Sequence, residues 1–519
     1  MKLLKKLTVS IVAFLIVAAV ILWALAKSIN PEVIKDYVSS QLTALTDQQS
    51  QVDGDISWQI FPRPGIKITK VQIGSEKNDQ SNYSIKLENL LFNLKITPLL
   101  RGKLVFSELD VNGFQININP NAEPIKVKNK KTAQSSSPKN RNIAEQFAIE
   151  RFLLSHGQIN FNGSEQTIKL ANLQIGAEQF NLNKTPFPLQ FKTQLNVASG
   201  NKSVMKAQIN FKGSTTLSTS LFNNPFNALQ NTPLDGQLAV QDFNIHQFKV
   251  NKIRAHVKTK PGVLWLNPLT LNMYNGESVG DLSYEFASMK LALNQTATNL
   301  NGNKLTSDLL NKKLFKGSVD LSIHTQANMQ NKNWPESILG KGNLTIKDGI
   351  VESINLDKVI DETSSKINKL LNGKNNEVKD VLQLSQFDNP AFFKGNTNFK
   401  LLTFQYSLQD AKLLSDSLVL QTERLQLKGD GKVNLKDNSV DSHLLAQVSL
   451  TDPEVDKIQQ LLGGNFPLLV KGYLTEPTVL PDLKIINPIL TKYWLKETLV
   501  KPVKQIHKQI KTLLTTKND

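Results

Sequence analysis

The sequence predicts a mostly β protein: a long curved antiparallel sheet, or sheets, forming a groove or a folded sandwich, with an N-terminal transmembrane helix, a few capping helices and a C-terminal amphipathic helix. Three observations carry this expectation. Apolar and polar residues alternate with period two along much of the chain, the mark of half-buried antiparallel strands. Short strand units led by a turn glycine recur, as at Gly157, Gly236, Gly317, Gly342, Gly395 and Gly431. Leu7 to Ala26 runs for 20 residues without a charge, about the length a helix needs to cross a roughly 30 Å hydrocarbon core.

That apolar stretch, with Leu7, Val12, Phe14, Ile16, Val20, Leu22 and Trp23 as anchor residues, follows Lys2, Lys5 and Lys6. The charge bias keeps the short N-terminus in the cytoplasm and exports the rest. A cleaved signal peptide is the rival reading, since Ala24-Leu25-Ala26 offers small residues; such peptides usually have an apolar core of only about 7–15 residues. A chain of 519 residues suggests two or three units. The expected division is 1–29 stub and anchor, 30–119 helix plus strands, 120–142 Lys/Ser-rich linker, 143–300 central β region, 301–482 C-terminal β region and 483–519 basic tail. Cysteine is absent, which excludes disulfides and thiolate chemistry. The formal charge of +17 admits nucleic acid or anionic headgroups as partners, and export leaves membrane surfaces.

Asn30-Pro31-Glu32 reads as a helix start, and Ile34, Val38, Leu42 and Leu45 give that helix one apolar face. From Asp53 the period becomes two: Ile56, Trp58 and Ile60, then Ile66 and Ile68, with Val71 and Ile73 one step out of phase, as a bulge would cause. Leu90, Phe92, Leu94 and Ile96 alternate next, then Leu104 with Phe106, then Phe114, Ile116 and Ile118 against Gln115, Asn117 and Asn119. Residues 120–142 break the pattern as a solvated linker or a headgroup-binding loop. Later helices are expected around Asn355 to Leu384, broken near Asn372-Gly373, and from Asp452-Pro453-Glu454 to Gly463-Gly464. The tail from Lys484 holds eight lysines and two acids among apolar residues and is divided by Pro488 and Pro502. Trp494, Lys492, Lys496, Lys504 and Lys508 are its candidates for a membrane interface.

Catalytic signals are weak. Gly276-Glu277-Ser278-Val279-Gly280 matches a nucleophile pattern that needs strand, sharp turn and helix, whereas Asn275-Gly276 signals a hairpin and residues 281–286 continue as a strand. The six histidines stand singly, with no ligand pair at helical spacing, and no phosphate-binding glycine loop is present. No cofactor, metal or catalytic residue is expected. The apolar strand faces must still meet something, since burial is worth roughly 25 cal/mol per Å². A second sheet and a groove for acyl chains both remain open.

Several stretches resemble the AsmA family of Gram-negative envelope proteins. They are Asp53-Gly54-Asp55-Ile56-Ser57-Trp58-Gln59-Ile60-Phe61-Pro62 with Gly65 to Gly74, Leu271 to Gly280, Gly340 to Asp357, Leu425 to Gly431, and Gly463 to Pro467 with Gly472 and Pro477. The resemblance, which extends to distant kinship with chorein-type bridge-like lipid transfer proteins, implies a single-pass inner-membrane protein with its bulk in the periplasm. It further implies a role in phospholipid transport and outer-membrane biogenesis, with phospholipid or another acyl lipid and the inner membrane as partners and no nucleic acid. On that reading Ile56, Trp58, Ile60, Phe92, Leu94 and Phe106 are lipid-groove candidates. The alternatives are a scaffold or chaperone for outer-membrane proteins, using sheet edges, and, less favoured, a hydrolase built on Ser278.

Overall fold

A computed structural model describes residues 49–59, 63–74, 83–95, 97, 106–119, 148–218, 231–330, 333–352, 354–372, 394–449 and 453–496, with scattered helical positions between 32 and 43. The anchor residues Leu7 to Trp23 lie outside the described residues, as do Ile60, Lys504 and Lys508. Among the described residues, no helix is long and apolar enough to cross a membrane. The chain divides into two compact units: Met1–Leu271 with Ser283–Ala287, and Asn272–Leu282 with Ser288–Asp519. Both are built mainly of strands.

Unit 1 begins with β1 (Ser50–Val52) and β2 (Ile56–Gln59), which pair side by side along one edge of β3 (Gly65–Ile73). β4 (Tyr83–Leu94), β5 (Phe106–Ile118), β6 (Ala148–Asn162), β7 (Thr167–Asn181), β8 (Phe187–Ser199), β9 (Lys202–Thr215), β10 (Leu234–Ile245) and β11 (Phe248–Lys260) follow, each paired with the next. The expected phase slip after Ile68 is present, but it is not confined to one strand. Lys70, Gly113, His156 and Asn172 all have positive φ. In register with them the apolar positions step by three instead of two: Ile68 to Val71, Leu90 to Leu87, Val111 to Phe114 and Leu170 to Leu173. Because β3, β4 and β5 add the residue together, their pairing survives the slip. Gly113 is the point where only glycine serves, since Glu88 lies where its side chain would be.

One pairing corrects the all-antiparallel expectation: β5 and β6 are parallel. A 13-residue strand spans roughly 43 Å, and a parallel partner can start only after the chain has returned that distance. The stretch between Ile118 and Ala148, which contains the Lys/Ser-rich segment, is that connection. Parallel register sets Gln115-Ile116-Asn117-Ile118-Asn119 beside Gln158-Ile159-Asn160-Phe161-Asn162. Asn160 Nδ2 donates to Asn117 Oδ1 (2.7 Å) and Asn162 Nδ2 to Asn119 Oδ1 (3.0 Å), forming an amide ladder on the polar face.

In unit 2 the described pairings run β14 (Lys290–Asn301), β15 (Phe315–Asn328), β16 (Leu339–Val351), β17 (Thr397–Gln409), β18 (Lys412–Gln421), β19 (Leu425–Asn434), β20 (Ser439–Val448), β21 (Phe466–Tyr473) and β22 (Glu476–Pro481), each antiparallel to its chain neighbour. Within either unit the strands form a single layer, and no second sheet faces it among the described residues. The folded-sandwich alternative is therefore not what the described strands build. β12 (Val263–Met273) and β13 (Gly276–Glu285) flank Tyr274 and Asn275, both at positive φ, so the turn centres one residue before the expected Asn275-Gly276.

Four α-helices are described in unit 2, beside a 3-10 turn at Trp334–Ser337. α1 (Gly302–Leu310), unanticipated from the sequence, is capped by Asn301, whose side chain accepts from the Lys304 backbone at 2.9 Å. α2 (Leu356–Asn372) fills the first part of the expected stretch, while Gly373 to Leu384, with the expected break, lie outside the described residues, and α3 (Pro453–Leu461) is followed by Gly463 and Gly464 at positive φ. α4 covers 483–496. Pro488 does not divide it: the proline is the sixth residue, past the free N–H groups of the first turn, and the helix runs on through it without the bond an N–H there would make to the Lys484 carbonyl.

The buried row Leu300, Val319, Ile346, Leu402, Leu420, Leu427, Ala446 and Phe466 crosses eight strands, none of its members above 8% exposed. Leu427→Ala should cost about 2–5 kcal/mol in urea unfolding. Asp320 accepts from the Asn299 backbone N–H (2.9 Å) and from Lys347 Nζ (3.0 Å), and chiefly the former holds its carboxyl below the usual range. A depressed folded-state pKa stabilises fully at neutral pH, and that stabilisation is lost as pH falls through the folded value. Asp320→Asn should accordingly flatten the acid limb of stability against pH.

Candidate functional site

The feature that stands out in unit 1 is an unbroken apolar row crossing ten strands. In register, Ile56 lies beside Ile68, then Leu90, Val111, Leu154, Ile175, Phe191, Phe211, Leu238 and Ala255. A second row on the same face runs Ile73, Ile85, Ile116, Ile159, Leu170, Leu195, Ala207. At about 4.8 Å per strand the first row is about 43 Å long. Ile56, Leu90, Leu154, Ile175, Phe191 and Leu238 remain half-buried in it, while Val111 and Phe211 are buried. Side chains of one layer shield one another only at their flanks, which leaves their tips open unless something lies on top.

Unit 2 shows what a covered face looks like. α1 packs on β14 and β15, α3 on β20, and α2 on α3 and β22. Arg424 binds Asp361 with both guanidinium nitrogens (2.6 and 3.1 Å) and reaches Asp357 at 3.4 Å, fastening α2 beside β19. Gln459 of α3 accepts from the Val448 backbone N–H at 2.7 Å. Away from these helices the apolar side turns half-buried again at Leu344, Phe404, Leu418, Leu413 and Val433.

Of the groove candidates, Ile56, Trp58 and Phe92 share the apolar face in half-buried positions. Leu94 is 2% exposed, and the Phe106 side chain lies outside the described residues. Trp58 stands beside Ile66, Phe92, Leu109 and Phe152 in a row of its own. Leu154, Ile175, Phe191 and Leu238 were not singled out by sequence pattern. Alternation marks each as face-directed but does not reveal which residues of different strands become neighbours. On the tail, Trp494, Lys492 and Lys496 are exposed on α4 with Ile485 and Leu495, while Ile486 is buried.

The chemistry-bearing side chains point elsewhere. Ser278 sits within β13, is 1% exposed and donates to Gln295 Oε1 at 2.6 Å, so it occupies no strand-to-helix elbow and the hydrolase reading loses its nucleophile. Among the described residues no cluster of potential ligands could hold a metal ion. Buried Glu108 accepts from Arg63 and from Asn93 Nδ2 (each 2.9 Å), with Arg151 at 3.6 Å. Burial, then the Glu108 charge, pushes the adjacent Asp110 carboxyl up. This cluster ties β4, β5 and β6 together on the polar face. Unit 2 also has an open polar hollow of about 740 Å³ over β15–β19, lined by Ser322, His324, Lys341, Asn343, Asp416 and Lys432 among others.

A family model described as the AsmA family matches residues 1–225 and 189–410, together most of the chain. The chain is similar to Protein AsmA of Escherichia coli (strain K12), with 23% identity over 122 residues. That match covers 24% of this chain and only 19% of the other protein's length. No solved structure matches the chain. Arg424→Ala should release α2, seen as faster amide exchange across Leu356–Asn372 with about 1 kcal/mol lost globally, a small effect because the carboxylate partners are half exposed.

Proposed function

From the premise that the chain belongs to the AsmA family, we propose that it is an inner-membrane-anchored, periplasmic, non-enzymatic protein that shelters phospholipid acyl chains on its apolar sheet face and so supports phospholipid transport and outer-membrane homeostasis. The observation carrying this reading is the half-buried row from Ile56 to Ala255, over which no second layer lies among the described residues. An acyl chain reaches about 15 Å, half a bilayer core, so a row of about 43 Å accommodates more than one lipid end to end. At about 0.8 kcal/mol per buried methylene, eight buried methylenes contribute about 6 kcal/mol. Movement along such a floor needs no nucleotide, because each position offers hydrocarbon similar to the last. Residues 7–26 hold one end at the inner membrane in this reading.

A second reading has one specific observation behind it. The edge strands β1 and β2 contain no proline, whereas the edge strand β22 carries Pro477 and Pro481, which cannot donate to an added strand. Strand addition at β1–β2 by an unfolded outer-membrane protein would make the molecule an assembly scaffold.

Mass spectrometry of lipids retained by the purified full chain tests the first reading. The wild type should carry phospholipid, and Ile175→Asp with Phe191→Asp should lose most of it, since charges at the floor of the row repel hydrocarbon. Unchanged lipid occupancy in that double variant, with crosslinks forming from β2 to nascent barrel proteins, would instead favour the scaffold.

A further inference from the structure

The opposite, polar face of unit 1 carries more cations than carboxylates across β8–β11. Across β8–β11 the register sets Lys192 in one row with Arg254, and Lys206 in another with Lys249, while Lys212 and Lys252 stand in the rows flanking Lys192 and Arg254. Nearly all the positions between these six cations are Asn or Gln. One carboxylate, Asp242, falls inside the block and takes a hydrogen bond from Gln208 at 2.8 Å; Asp235, at the margin, is held by His256 at 3.0 Å. Lys192, Lys206, Lys212 and Arg254 are exposed and join no ion pair among the described residues. The polar face of unit 2 differs, for there Lys347 meets Asp320, Lys316 meets Glu352 and Lys436 meets Glu336 within 3.0 Å.

Strands about 4.8 Å apart bring each of these cations within about one Debye length of its nearest cationic neighbour. They repel, and an external array of negative charge relieves the repulsion. We propose that this face docks on the phosphate-bearing surface of an anionic bilayer. The block offers cations and amide donors spread over a sheet surface, as a headgroup layer requires, and no Phe, Tyr or Trp ring for stacking nucleobases. Nor does it offer the buried aromatic or aliphatic anchor on which a protein partner's binding energy usually concentrates. The inference stands apart from the acyl-chain reading, because it concerns the other side of the sheet.

The test uses the full chain held in neutral phosphatidylcholine nanodiscs, which keeps its apolar N-terminal stretch occupied. Recruitment of fluorescent phosphatidylglycerol vesicles is compared with that of phosphatidylcholine vesicles. Lys192→Gln, Lys212→Gln and Arg254→Gln together should weaken phosphatidylglycerol binding by about tenfold to 100-fold at low salt, from about fivefold per charge. Lys341→Gln, Lys428→Gln and Lys432→Gln, the same charge change on unit 2, should leave it nearly unaltered. All six side chains are exposed, so unchanged thermal unfolding verifies both folds. Equal losses in the two triple variants would reduce the effect to net charge and overturn the proposal. Binding of single-stranded DNA or an acidic protein through the same residues, with no phosphatidylglycerol recruitment, would overturn it too by assigning the face to another polyanion.

Discussion

Cross-strand register is the constraint on which the rest depends. A strand shifted by one residue turns every side chain to the other face, so an apolar row ten strands wide exists only if nine successive pairings are each in step. The coordinated slip shows how closely this is kept. When β3 inserts Lys70, β4 and β5 insert Glu88 and Gly113 opposite it, so that Val71, Leu87 and Phe114 return to the same side as Ile68, Leu90 and Val111. An inserted residue in one strand alone would have carried half of its neighbours' apolar groups into water.

Glycines set beside aromatic rings serve the same end. A methyl group at Gly157 would collide with the Phe114 ring, one at Gly349 with Phe399, and one at Gly342 with Tyr406. Tyr406 lies over Gly342 and donates its hydroxyl to the Ser322 carbonyl at 3.3 Å, spanning from β17 to β15. Burial pushes that hydroxyl's pKa up, so it keeps its proton and continues to donate. Each ring covers a gap that a one-layer sheet would otherwise leave in its apolar side.

The two units spend their apolar faces differently. In unit 2 helices lie over one end of the face, and the row from Leu300 to Phe466 is dry. In unit 1 the described strands have no such cover, and much of the corresponding row is half open. The polar sides differ in parallel: in unit 2 Lys347, Lys316 and Lys436 each meet an acid, while β8–β11 of unit 1 hold cations in excess of carboxylates. Unit 1 thus presents an unsatisfied surface on each side, one of hydrocarbon and one of charge.

The sequence by itself determined the strand content, the period-two faces, the slip after Ile68, the helix over Leu356–Asn372 and the helix opening at Pro453. These are local, set by alternation, capping and turn chemistry within a few residues. Family kinship was legible too, through the Gly54 to Pro62 opening and the late glycine blocks. The parallel return of β5 to β6, the joining of Ile56 to Ala255 in one row and the six cations gathered on one face came only with the tertiary structure. Each depends on which strands pair and in what register, and residues brought within about 5 Å by pairing can lie forty or more positions apart in the chain, as Asn117 and Asn160 do.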